Sequence, residues 1–135
     1  MASISLQQLR IVEDMLRQIR ESIHNLELWN ENYSDANEML SSPEGVKTLA
    51  ADCMLIEAIG EGFKRIDERT NQQLLPSRPE IPWKAVKGMR DHIAHGYFDI
   101  NSNLVWDVVK NDLVPLRNAV DYFLEHLYDI VPFEE

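Results

Sequence analysis

Leu9, Val12, Leu16, Ile19, Ile23 and Leu26 recur at alternating steps of three and four. That spacing draws one apolar seam down an amphipathic helix. Ahead of it, Ser5 and Gln8 have capping-box spacing, and Ile4 and Leu9 that of a hydrophobic staple. The pattern predicts a first helix over residues 5–33. The stretch SDANEMLSSPEG then reads as a connection with room for one helical turn, and Ser42–Pro43 as the N-cap and first residue of a second helix.

That second helix is predicted over 43–68, with Val46, Leu49, Cys53, Ile56, Ile59, Phe63 and Ile66 on its inner side. Gly60 and Gly62 interrupt it, each weakening a helix interior by roughly 1 kcal/mol relative to alanine. Their presence predicts close approach of another helix or a ligand. The loop TNQQLLPSRPEIP should lay Leu74 and Leu75 on the bundle and deliver the chain to a third helix over 82–95. That helix turns Trp83, Val86, Met89 and Ile93 inward and closes at Gly96. After a turn at FDINSN, a fourth helix is predicted over 103–128, carrying Val105, Val108, Leu113, Leu116, Val120, Phe123 and Leu127. Pro115 inside it should kink or split it. No strand is predicted. The expected fold is all-α: an antiparallel four-helix bundle with a kinked or split last helix, one domain over residues 1–135.

Composition narrows the setting. No apolar run approaches the roughly 20 residues that span a bilayer, and MASISLQQLR lacks the features of a secretory signal. A soluble cytoplasmic protein is expected. The lone Cys53 excludes an intrachain disulfide and, on the apolar stripe, reads as a buried, inert thiol. The net charge of −10 argues against a general nucleic-acid binder. Its distribution is uneven, however. From Lys64 to Arg90 seven basic residues face three acids, whereas from Asp91 onward only Lys110 and Arg117 stand against nine acids. The basic strip is either an anion site on an acidic body or a solvated mixed-charge face.

The strip ends in GMRDHIAHGYFDI, residues 88–100, where Arg90, Asp91, His92, His95 and Tyr97 cluster. Arg90 is a permanent cation, and His95 a group that titrates near neutrality. Those two roles suffice to cleave RNA without a metal: the histidine takes the 2′-hydroxyl proton and the arginine stabilises charge at phosphorus. His92 and His95 stand three apart, but with no HExxH and only Asp91 nearby no metal site is predicted. There is no Gly-rich phosphate loop and no nucleophile elbow. On one ideal helix Arg90 and His95 would point about 140° apart, whereas Asp91 and His95 share a face. Arg90 and His95 could still border one cleft between two helix ends of a symmetric dimer. The other reading of the cluster is a capped helix end with exposed polar residues. Trp83 lies on the apolar stripe and is expected in the core rather than stacked on a base.

Arg90, His95 and Tyr97 together match the RxxxxHxY motif. With AIGEGFKRI, PEIPWKAVKGMRDHIAHGYFDIN and VWDVVKNDLVPL in the same order, the chain resembles the HEPN superfamily, in particular its HepT-type toxins. The resemblance implies an all-helical homodimer acting on RNA as a metal-independent endoribonuclease, without a cofactor, and leaving 2′,3′-cyclic phosphate. It implies Arg90 and His95 as the catalytic pair, with Asp91 and His92 in support. It further implies the toxin of a type VII-like toxin–antitoxin pair, whose cognate minimal nucleotidyltransferase antitoxin modifies Tyr97 with AMP. Two alternatives stand beside it: a non-catalytic HEPN module that binds nucleotide or a nucleotidyltransferase, and a helical scaffold.

Overall fold

The structure, a computed structural model, describes residues 3–93 and 99–135. Ser5 caps α1 (Leu6–Asn30), its side chain accepting from the Gln8 amide at 3.1 Å. All six residues of the predicted seam are buried along it. The helix stops three residues short of the expected end, where Asn30 turns inward. A short α2 (Ala36–Leu40) follows, capped by Asp35. Ser42 then caps α3 (Pro43–Arg69), accepting from the Gly45 amide at 3.0 Å, with Pro43 in the first turn.

Packing explains the glycines. Gly45 lies against the Met39 backbone, where no Cβ fits, so α2 seats directly on the start of α3. Val46, predicted inward, is one position further round and is 48% exposed. A Cβ on Gly60 would stand 2.9 Å from the Val86 carbonyl oxygen, and one on Gly62 would stand 3.0 Å from the Ile19 side chain. Both are the close helix approaches expected. After α3, Asn71 and Gln72 adopt positive φ, 52° and 61°, and reverse the chain. Leu74 and Leu75 then pack into the core as predicted.

The third helix is not continuous. It is α4 (Trp83–Lys87) and α5 (Met89–Ile93), parted at Gly88; the predicted close at Gly96 lies outside the described residues. The fourth is split, but upstream of Pro115. Asn101 caps α6 (Ser102–Asp107), a π-helical turn covers Val108–Asp112, and α7 (Leu113–Ile130) completes it. Pro115 has no amide proton for the Asn111 carbonyl and crowds it, so the distortion falls in the turn before the proline.

α1 packs on α3 and α7, with α4 and α5 against α3. Trp83, expected in the core, is half-buried and packs against it, its ring centroid 4.9 Å from Phe63 and 5.7 Å from Phe123. Its indole N–H donates to the Arg78 carbonyl at 3.0 Å. Where no strand was predicted, β1 (Ile4–Ser5) and β2 (Phe133–Glu134) form a two-residue parallel pair. Among the described residues no helix is long and apolar enough to cross a membrane.

Candidate functional site

Gly88 makes the joint that presents the cluster. Its amide donates to the carbonyls of Lys84 and Ala85, at 3.2 Å each, and its own carbonyl accepts from Asp91 at 3.1 Å. A new helical turn therefore begins on the far side of a tight corner. Met89 and Ile93, four apart, are buried. Arg90, Asp91 and His92 are left outside.

α3 fixes where this turn sits. Gly60 admits the α4 backbone, and Lys87 Nζ bonds Asp67 Oδ2 at 2.9 Å. Two residues beyond the joint, Arg90 Nε lies 3.7 Å from Glu57 Oε1 on α3. Glu57 was not anticipated from sequence. It sits on the outer half of an amphipathic helix, and only the folding of α5 onto α3 gives it a role.

The three exposed side chains diverge. Arg90 faces α3. Asp91 and His92 border a shallow groove with Trp83, Lys84 and Gly88. His92 also reaches a cavity of about 410 Å³ walled by Met89, Ile93, Leu104 and Leu116. The described polar lining there includes Glu80, Asp107 and Asp112 but no lysine or arginine. Asp107 and Asp112 are five residues apart, which the π-helical turn brings to one side. Burial, and then the charge of Asp107, hold the Asp112 carboxyl above the usual range. Such a lining repels phosphate, and the guanidinium of Arg90 lies on the other side of α5, toward α3.

Four of the seven basic residues of the strip have an acidic partner. Arg65 pairs with Glu61, Arg78 with Glu80, Lys87 with Asp67 and Arg90 with Glu57. Arg90 nevertheless keeps 74% of its side-chain surface in solvent. Cys53 is buried and free, as expected, and burial raises its thiol pKa. Among the described residues no three His, Cys, Asp or Glu side chains converge as metal ligands. His95 and Tyr97 lie outside the described residues. The ends of the segment containing them are tied together, since the Asn101 amide donates to the Ile93 carbonyl at 2.8 Å.

A family profile for ribonuclease HepT-like proteins matches residues 8–123. This chain belongs to the HepT-like family. Among curated relatives, a Methanocaldococcus jannaschii protein with a provisional RNase name is 37% identical over 65 residues, 48% of this chain and 50% of the relative. The "Probable ribonuclease HepT" of Thermococcus cleftensis is 33% identical over 75 residues, 56% of this chain and 64% of the relative. A Caldanaerobacter subterraneus protein, also provisionally named an RNase, is 29% identical over 70 residues, 52% of this chain and 59% of the relative. These similarities span half to under two thirds of the relatives' own length. No solved structure matches the chain. The all-helical fold is that expected of a HepT-like protein, and Arg90 stands exposed within the matched span.

Proposed function

We propose that this HepT-like chain is a metal-independent endoribonuclease, the toxin of a type VII-like toxin–antitoxin pair acting in the cytoplasm. One observation carries the reading: in a HepT-like chain, the arginine that opens the Arg90–His95–Tyr97 spacing stands at a helix end with its guanidinium in solvent. In the proposed reaction His95 takes the proton from a ribose 2′-hydroxyl. The resulting oxygen attacks the adjacent phosphorus, and the bond to the 5′-oxygen breaks as that oxygen gains a proton. Arg90 stabilises the charge that builds on the phosphoryl oxygens. The products are a 2′,3′-cyclic phosphate and a 5′-hydroxyl end.

Assembly and regulation follow the same reading. Two copies pair so that both Arg90 and His95 pairs border one cleft, with Asp91 and His92 at its margin. The cognate minimal nucleotidyltransferase transfers AMP to Tyr97, placing phosphate charge and an adenosine near the cation that RNA needs. Expression of the chain alone should arrest growth, His95→Ala should relieve the arrest, and co-expression of the nucleotidyltransferase should relieve it only with Tyr97 intact. A folded, dimeric chain that never arrests growth and cuts no RNA would instead favour the non-catalytic module.

A further inference from the structure

We propose that Glu57 is the positioning residue for Arg90, holding the guanidinium by its Nε edge so that the Nη edge, which has no partner among the described residues, is presented to a phosphodiester. Its part in catalysis rests on the ribonuclease reading above; the contact itself does not. A guanidinium is planar, with one N–H at Nε and a pair of NH₂ groups opposite. The Glu57 carboxylate approaches from the Nε side, Oε1 to Nε 3.7 Å. The end-on Nη1/Nη2 edge, which can grip two phosphoryl oxygens at once, is then the edge turned away from α3.

Glu57 is suited to this because its own position is set. Cys53, one turn earlier on α3, places Sγ 3.9 Å from the same Oε1. Gly60, one turn later in part, lets the α4 backbone approach and so fixes the spacing between α3 and the joint at Gly88. Glu57 retains 33% exposure against 74% for Arg90, so the anchor is the more sheltered partner. Exposed pairs of this kind add little to folding stability. What the pair supplies is orientation: an exposed arginine with many rotamers is restricted to those that present its Nη edge outward.

The test uses the full-length protein and the Arg90 Nε–Hε resonance in ¹⁵N NMR, assigned by its absence in Arg90→Lys. In Glu57→Gln that resonance should shift and exchange faster with water, with melting within about two degrees of wild type. Thymidylyl-thymidine, a phosphodiester without a 2′-hydroxyl, should perturb Arg90 in wild type and bind several-fold more weakly to Glu57→Gln. On RNA, Glu57→Gln should lower kcat about tenfold with a smaller change in KM. Glu57→Asp, which keeps the charge, should retain more of kcat than Glu57→Gln. An unchanged Arg90 resonance, equal affinity for the dinucleotide, or the reverse order of the two variants would overturn the proposal. A wild-type protein that cuts no RNA overturns the ribonuclease reading instead, and the NMR comparison still decides the role of Glu57.

Discussion

The Asn30 carboxamide donates to Asp52 Oδ1 at 2.8 Å in the buried seam between α1 and α3. Its other N–H goes to the Leu26 carbonyl, also at 2.8 Å. Asn30 Oδ1 and Asp52 Oδ2, one from each partner, are left buried without a hydrogen bond among the described residues. Burial pushes the Asp52 carboxyl up to about 6, against the lowering effect of the Asn30 hydrogen bond. A proton on Asp52 removes the cost of burying a carboxylate charge that has one hydrogen bond and no cation beside it among the described residues.

Stability should depend on pH accordingly. Because the folded value of about 6 exceeds the ordinary 3.8, the folded state holds more proton between them. Stability therefore falls as pH rises through that window and levels off above it. Asp52→Asn is uncharged at every pH. Its Tm should match wild type below about pH 4, pull ahead through the window, and exceed it by several degrees at pH 7.5. A difference that does not change with pH would contradict this account.

Gly60→Ala should act on both fold and site. The added Cβ meets a backbone oxygen 2.9 Å away on Val86, which cannot rotate aside. Displacing α4 should cost about 1–3 kcal/mol, and it should carry Arg90 away from Glu57. Chemical denaturation would show the lowered midpoint, and RNA cleavage should fall more than the unfolded fraction explains.

Trp83→Ala should be among the more destabilising single changes, about 3–5 kcal/mol, because its ring packs between Phe63 and Phe123. Trp83→Phe keeps most of that packing but drops the bond to the Arg78 carbonyl, so it should lose less. RNA affinity of the folded Trp83→Phe protein should equal wild type, since the indole ring is engaged by Phe63 and Phe123 rather than presented for stacking.

Arg90→Ala should abolish cleavage while leaving Tm within about two degrees, because the side chain is 74% exposed and its ion pair spans 3.7 Å. Arg90→Lys keeps the charge without the planar fork, so activity should stay well below wild type. Kinetics beside circular dichroism melts would separate the two effects.

Much of the scaffold was legible because its signals are local. Ser5 and Ser42 cap as their spacing predicts, the heptad-like seam of α1 is buried, and Gly60 and Gly62 mark real helix contacts. The misses depend on the whole fold. The third helix reads as continuous over 82–95, yet Gly88 divides α4 from α5. Pro115 announced a break, but the chain places the distortion one turn earlier. At the site, the motif named Arg90, whereas Glu57 has no motif and gains meaning only when α5 folds onto α3. The divergence of His92 toward an acidic cavity was likewise invisible in a linear cluster.

End-group analysis of RNA incubated with purified protein in excess EDTA separates metal-free cleavage by Arg90 and His95 from every other outcome. Cleavage should survive chelation, leave 2′,3′-cyclic phosphate and 5′-hydroxyl ends, and disappear in both Arg90→Ala and His95→Ala. Cleavage that stops with EDTA, yields 3′-hydroxyl ends, or persists in the folded Arg90→Ala protein would contradict that mechanism.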